Sequence, residues 1–549
     1  MIKQPLNLQN RIFLILTLSI SLLTAIFLAR ETYYINYWPS DSWHLYIPAA
    51  KYTQDLTFIS NIHKQNIFHS LHFKEILVLW VSFFQWLLND FHSLFPNIII
   101  LIISNSVSGL MIYLILKKWL DPSVSFIGFL LFTGCLWPHL YMLLGAHQPL
   151  VMMNFLLAVF CLCYINTPWL ACVISGICFG LAVFSSPTSP LYIPYYFFAF
   201  LLFIFHARLI SAKNIFQSAG MIFVGACIVV LMITLPDPWK NTIDYFKFLA
   251  ESQSENNFTH PNFIGVTAPD NLPQRGSGIS WIIKYMFHTF PGLFSLYICS
   301  IFLCLYFSNK KWLAFIIVLF SLSTPVGAET VQAAQFGRNY FSWLFGIIVV
   351  CCLNLQNIKK LIQQKAPSQS SFLFSCLTLC VIGSILILNI QKLFHDIIPS
   401  RMATNHIHDF IRALPENEIV SVYKNHPYNR NIIGHINNPK YDHQMRFRFV
   451  NTVSDVKEGY FLLPPLTGKS IWSDCQRRDF VEDPHLNQLL QSGTFPEYVI
   501  KTFPTIASSQ YWIHEEEYCT YLDLELRQVS SADRVFGQAF ILKFGKNGR

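Results

Sequence analysis

The amino-acid sequence predicts an all-α polytopic membrane bundle of about eleven transmembrane helices, followed by a C-terminal soluble domain of α/β or α+β type. Three observations carry this expectation. The 549 residues are 53% hydrophobic and only 12% charged, whereas a soluble domain carries about 25% charge. Aromatic residues reach 16%, with 50 Phe, a composition suited to lipid rather than water. Apolar runs of spanning length recur as far as Leu393; from His395 they shrink to strand length, and charged residues and His become frequent. Residues 1–394 are expected to form the membrane part and 395–549 the soluble domain.

Met1 to Arg11 is short and carries Lys3 and Arg11. The run Ile12–Leu28 follows with no small-x-small cleavage site, so it reads as an uncleaved first span. Residues 31–96 form an outer loop interrupted by Ile76–Leu88, which is short for a crossing and suits an interfacial or re-entrant helix. Ile98–Leu116, Val124–Leu143, Leu150–Ile165, Trp169–Phe184, Leu191–Phe205 and Ile215–Leu235 are long enough to cross. After a polar loop over 236–284 come Tyr285–Phe307, Trp312–Leu322, Tyr340–Leu355 and Phe372–Leu393. In the tail, Ile419–Tyr423, Tyr460–Leu463, Tyr498–Thr502 and Ala539–Phe544 read as strands, separated by helical stretches such as Asp479–Gln491.

The basic residues set the orientation. With the N-terminus in the cytoplasm and Ile76–Leu88 not crossing, the inner loops hold Lys117, Lys118, Arg208, Lys213, Lys310, Lys311, Lys359, Lys360 and Lys365. Apart from Arg338, the short outer loops hold no Lys or Arg, as the positive-inside rule requires. A crossing at Ile76 would invert every later loop. The tail is therefore expected outside, which for a bacterial inner membrane is the periplasm. The net charge of +8 is scattered between apolar runs rather than gathered in a stripe, which argues against a nucleic-acid partner. All but two of the 14 cysteines sit in apolar runs and act as small packing residues. Cys475 and Cys519 in the tail form a disulfide candidate pair.

Chemistry is sought on the outer face. Asp41 stands in the aromatic stretch Tyr33 to Ala50; a carboxylate half screened by aromatics suits a general base, and Asp41 or Ser40 equally suits a helix N-cap. The aromatics suit an interfacial belt as well as sugar stacking. His147, in the short loop Gly145-Ala146-His147-Gln148-Pro149, is an acid, base or ligand candidate, although a lone loop histidine is more often simply solvated. Arg338, kept outside against the charge rule, invites an anionic partner such as a lipid phosphate, or pairs with Glu329. Lys74 is a further outer cation or a snorkelling anchor. Asn257-Phe258-Thr259 matches a glycosylation sequon. Walker, dinucleotide-binding glycine and GxSxG patterns are absent from the sequence, so a nucleotide-driven activity has no support.

Several stretches share an order with a known group. Asp41, Tyr46 and Ala49-Ala50 match a first outer loop with an acidic residue followed by Tyr and small residues. Lys74 matches a Lys preceding an interfacial helix, with Glu75-Ile76 in place of two prolines. Gly176–Pro190 is similar to a sixth-span region, and Arg338-Asn339-Tyr340 to a late Arg-Tyr motif with one residue inserted. Over roughly residues 10–395 the chain thereby resembles the C-type (GT-C) membrane glycosyltransferases, such as protein O-mannosyltransferases and lipid A aminoarabinose transferases. The resemblance implies a GT-C-like bundle that moves a sugar from a polyprenyl-phosphate donor to a glycan, lipid or protein acceptor outside the cytoplasm. Asp41 would be the general base, and Arg338 with Lys74 would stabilise the leaving phosphate. Tyr46, His147, Glu329 and Tyr340 are candidates for substrate binding. The family's second outer loop carries an Asp before Pro, where this sequence reads His147-Gln148-Pro149. If the family's Asp serves metal or acceptor binding, this chain either uses His147 differently or lacks that function; no cofactor is implied, and a divalent metal is possible but unsupported by the sequence. The competing readings are a transporter or flippase of lipid-linked sugars, which needs ionisable groups within spans and broken helices, and a non-catalytic membrane scaffold.

Overall fold

A computed structural model describes residues 8–34, 75–89, 95–135, 137–139, 147–186, 188–235, 237–244, 290–307, 311–330, 340–392, 418–423, 447–463, 483–493, 495–504 and 538–545, with short pieces at 247, 279–287 and 410–415. Its helical part runs α1 (Leu8–Tyr34), α2 (Glu75–Leu88), α3 (Phe95–Lys117), α4 (Pro122–Thr133), α5 (Gln148–Tyr164), α6 (Pro168–Val183), α7 (Ile193–His206), α8 (Ala212–Ile233), α9 (Pro291–Phe307), α10 (Lys311–Ser321), α11 (Ser323–Thr330), α12 (Trp343–Lys365) and α13 (Ser370–Lys392). Proline marks many of the starts: Pro122, Pro149 and Pro168 each occupy the first turn, where the missing N–H would have had no partner anyway.

Among the described residues, five helices are long and apolar enough to cross a membrane: Pro96–Lys117, Ser189–His206, Ala212–Ile233, Trp343–Lys365 and Phe372–Gln391. The other expected crossings fall on shorter apolar helices, so the count of about eleven is not established. Ile76–Leu88 is α2, a short helix as expected. One face of α2 is buried through Ile76, Leu77, Val78, Val81 and Gln85, and the other exposes Phe83, Trp86 and Leu87.

Burial orders the bundle. Helix α5 is apolar all round and buried over almost its whole length, as a central helix must be. The first half of α12 is similarly enclosed. Helix α8 lies at the periphery, with Phe216, Phe223, Val224 and Leu231 exposed. It is held by α6 through a seam of small residues. A Cβ on Gly176 would stand 2.1 Å from the Ile222 carbonyl oxygen, and one on Gly225 would stand 2.2 Å from that of Val173. With Gly180 this is a small-xxx-small contact that lets two backbones touch. The stretch read as a sixth-span motif is thus a packing surface.

The expected span Val124–Leu143 is not one helix. Helix α4 stops at Thr133, and a helical turn resumes at Trp137-Pro138-His139. Pro138 has no N–H to offer the carbonyl four residues back, at Gly134, so the ladder fails there. Three side chains take up the freed carbonyls. Asn389 Nδ2 donates to Gly134 O at 2.6 Å, His139 Nε2 to Thr133 O at 2.5 Å, and Asn105 Nδ2 to Pro138 O at 2.9 Å. A chain break inside a membrane bundle is tolerated when neighbours satisfy the backbone in this way.

The tail contains a five-stranded mixed sheet in the order β2-β1-β3-β5-β4. Its strands are β1 (Val420–Tyr423), β2 (Phe447–Val450), β3 (Gly459–Leu463), β4 (Val499–Pro504) and β5 (Gln538–Phe544). Strands β1 and β2 and strands β1 and β3 pair parallel, while β5 pairs antiparallel with both β3 and β4. Four strands were expected; β2 was not, because Phe447-Arg448-Phe449-Val450 alternates with a charge and has little apolar length. Val422, Leu462 and Ile541 join one buried cluster, while Tyr423, Phe461, Leu463 and Leu542 form another on the opposite face, so successive residues point to opposite sides. Helix α14 (Pro484–Ser492) begins at Asp483, which is fully buried. Its carboxylate accepts from the N–H groups of His485 and Leu486, from the Tyr423 hydroxyl and from Val453 N–H. Burial, then the Asp483 charge, push the Tyr423 hydroxyl far above its ordinary value, so it stays a donor. Cys475 and Cys519 lie outside the described residues.

Candidate active site

Polar side chains gather at the end of the bundle that the charge pattern assigns to the outside. Helix α6 ends at Val183 because Ser186 precedes Pro187, and a residue before proline leaves the α region. The turn that follows holds four hydroxyls. Ser185 Oγ donates to Leu181 O at 2.6 Å, Ser186 Oγ and Thr188 Oγ1 lie 2.8 Å apart, and Ser189 Oγ donates to Val183 O at 3.3 Å. Asn154, two turns into α5, reaches Ser185 Oγ with its Nδ2 at 3.4 Å. The start of α2 is tied to the same turn, since Ile76 N donates to Phe184 O at 3.0 Å. Glu75, the first residue of α2, is a buried carboxylate.

His147 caps α5 and is buried, 3% exposed, rather than solvated as a lone loop histidine would be. Its carbonyl accepts from Leu150 N and Val151 N, and its Nε2 faces Gln148 Nε2 at 3.0 Å. Tyr340 lies just before α12, its ring fully enclosed beside Phe341 and Trp343. A set of buried hydroxyls closes this corner. The Tyr195 hydroxyl meets Thr324 Oγ1 at 2.9 Å, Thr324 Oγ1 meets Ser342 Oγ at 2.9 Å, and the Tyr297 hydroxyl meets Ser321 Oγ at 2.8 Å. Thr324 opens α11 and Ser342 precedes α12, so the two bracket the stretch that carries Glu329, Arg338 and Tyr340 in sequence. Rings connect the corner to the rest: Phe155 packs on Tyr192, Tyr195 and Phe345, and Trp137 on Phe290 and Phe341.

The opposite end is basic. Lys359 pairs with Asp121 at 3.1 Å, and Gln356 Nε2 donates to the same carboxylate at 2.9 Å. Burial raises the Asp121 pKa, but the bonds from Gln356 and Lys359 outweigh it and hold the carboxyl below its ordinary value. Lys118 lies over the Tyr164 ring at 5.3 Å. Along α12, Trp343 and Lys359 are about 24 Å apart at 1.5 Å per residue, most of a hydrocarbon core about 30 Å thick.

Of the residues singled out in the sequence, the structure brings His147 and Tyr340 to one end of the bundle. Glu329 is described only as part of the α11 backbone. Asp41, Tyr46, Lys74 and Arg338 lie outside the described residues, as do Gly145, Ala146 and Asn257. Among the described residues no group of three His, Cys, Asp or Glu side chains is arranged to hold a metal ion. Sequence reasoning passed over Glu75, Asn154, the Thr324–Ser342 pair and the Trp137-Pro138-His139 turn. The last had a legible signal, a proline and an ionisable group inside an apolar run.

No protein-family model matches the chain, and no curated protein does. Solved structures of similar arrangement exist. The archaeal oligosaccharyltransferase AglB from Archaeoglobus fulgidus, in complex with an inhibitory peptide and a dolichol-phosphate, aligns at TM-score 0.47 and 11% identity, covering 76% of this chain. The chain spans 63% of that enzyme's length. ArnT from Cupriavidus metallidurans in the apo state aligns at TM-score 0.48 and 7% identity, covering 82% of this chain and 92% of that one. The same protein bound to undecaprenyl phosphate aligns at TM-score 0.44 and 8% identity, covering 82% and 93%. It is to these solved structures that the chain is similar in arrangement.

Proposed function

We propose that this protein is an integral membrane glycosyltransferase that moves a sugar from a polyprenyl-phosphate donor to an acceptor on the outer, periplasmic face of a bacterial inner membrane. The observation that carries the reading is the gathering of polar groups at one end of an otherwise apolar bundle. There the start of α2, directly after Lys74, is hydrogen-bonded to the end of α6. The same end holds Thr324 and Ser342, which bracket Arg338 in sequence. A lipid-linked donor accords with a sequence that lacks a nucleotide motif. A dolichol-phosphate and undecaprenyl phosphate, the lipid part of such a donor, are named with the AglB and ArnT complexes.

In this mechanism Asp41 takes the proton from an acceptor hydroxyl as its oxygen attacks the anomeric carbon. The bond to the lipid phosphate breaks, and its electron pair leaves with the phosphate. Arg338 and Lys74 stabilise the charge that develops there. A single displacement inverts the anomeric centre. Tyr46, His147, Glu329 and Tyr340 belong to the substrate-binding surround.

The test is transfer of label from radiolabelled polyprenyl-phosphate sugars in membranes carrying wild type or Asp41→Asn. Wild type should transfer label, and the variant should lose turnover while keeping expression and folding. Full activity in Asp41→Asn would remove the assignment of the base.

A transport reading draws on the break between Thr133 and Trp137 and on buried His139, since broken helices and intramembrane ionisable groups mark transporter sites. The freed carbonyls here are already taken by protein side chains, which favours a fixed structure. Reconstituted liposomes distinguish the two: a flippase moves the lipid-linked sugar between leaflets without chemical change, and the transferase makes product.

A further inference from the structure

The break after α4 also leaves buried polar atoms unmatched. His139 Nε2 faces the Thr133 carbonyl, and a carbonyl oxygen can only accept, so the proton sits on Nε2. In the neutral ring Nδ1 is then a bare acceptor. It is buried and has no hydrogen-bond partner. Asn105 spends its Nδ2 on Pro138 O, and its Oδ1 is buried without a partner. The Trp137 Nε1 donor and the Ser108 hydroxyl, both in fully buried residues, are equally unmatched. A buried polar atom without a partner is costly, so such atoms in one small region point to something that pairs with them.

The chemistry of the set defines the partner. It offers acceptors at His139 Nδ1 and Asn105 Oδ1, a donor at Trp137 Nε1 and a hydroxyl at Ser108. Neither a carboxylate nor an ammonium or guanidinium is among them, which suits neither an inorganic cation nor a bare phosphate. The Trp137 indole lies in a cluster of rings, stacked on Phe290 at 5.3 Å and at right angles to Phe341 at 5.9 Å. The group it leaves unmatched is the Nε1–H. Phe341 lies between Tyr340 and Ser342, so the group stands at the end of α12 where the polar side chains collect. We infer that Trp137, His139 and Asn105 form a subsite for a neutral polyhydroxyl group, the sugar carried by the lipid-linked donor. Hydroxyls of the sugar donate to His139 Nδ1 and Asn105 Oδ1, and one accepts from Trp137 Nε1. This inference rests on the donor class proposed above.

The experiment is ligand-induced thermal stabilisation of the purified full-length protein, comparing a polyprenyl-phosphate sugar with the same polyprenyl phosphate lacking sugar. A ligand that binds only the folded state raises the unfolding temperature in proportion to its affinity. Wild type should be stabilised more by the sugar-bearing lipid. His139→Phe keeps an aromatic ring but removes the acceptor, and should bind the sugar-bearing lipid about tenfold more weakly while binding the bare lipid unchanged. Trp137→Phe, which removes only the donor edge and part of the ring, should behave alike and serves where His139→Phe does not fold. Equal stabilisation of wild type by both lipids overturns the subsite and assigns the unmatched atoms to buried water. So does an unchanged preference in both variants. Stabilisation of wild type by neither lipid removes the donor reading itself, and the subsite with it.

Discussion

Asp121 joins two helices that are distant in sequence, through Lys359 and Gln356. Its carboxyl is held below the ordinary value because those bonds outweigh burial. A depressed folded-state pKa contributes stability above the unfolded value, about 3.9 for Asp, and loses it as pH falls through the folded value. Asp121→Asn should therefore lower the thermal midpoint at pH 7, with the gap to wild type narrowing towards pH 3. The side chain is partly exposed, so the effect should be small and should shrink with salt. Nothing in the sequence around Asp121 beyond the following Pro122 marks it out. Its partners lie more than two hundred positions away, and no local pattern encodes such a pairing. His147 illustrates the reverse. Residue type and position made it a candidate, but whether it meets water or protein depended on how α5 is enclosed.

At the scale of elements, glycine placement decides how near α8 can come to α6. Gly176→Val would drive its branched side chain into the backbone at Ile222, whose oxygen lies 2.1 Å from the added Cβ. Backbone cannot yield as a side-chain end can, so the change should destabilise by about 2–3 kcal/mol. Thermal unfolding in detergent should show it, with Gly220→Val as a control, because nothing lies within 4 Å there. Apolar runs located the helices well, since a span needs only length and composition. They did not reveal the break at Gly134, because Val124–Leu143 stays apolar through it. There the backbone rule for Pro138 outranks hydropathy.

For the whole molecule, the basic residues predict which side each end occupies. A C-terminal fusion to alkaline phosphatase should be active, and a fusion to a cytoplasm-only fluorescent reporter should be dark. The opposite pair would invert the topology and move Asp41 and Arg338 to the cytoplasmic face. In the described structure the two ends of the bundle differ in chemistry. The Asp121–Lys359 pair and Lys118 stand at one end of α12, and the hydroxyl-rich corner around Ser342 stands at the other.

The sequence by itself determined that this is a helical membrane protein with strand-forming segments in its tail. Composition, run length and the sidedness of charge are one-dimensional quantities, set by the solvent each segment must face. It also nominated Asp41, Lys74 and Arg338, through residue type and order. Only the tertiary structure decided what meets what: Asn389 with the Gly134 carbonyl, Thr324 with Ser342, Asp483 with Tyr423, and His139 with a bare Nδ1 beside the break. Those pairings follow from dense packing and the need to satisfy each buried polar group. Both are properties of neighbours in space that the order of residues along the chain does not state.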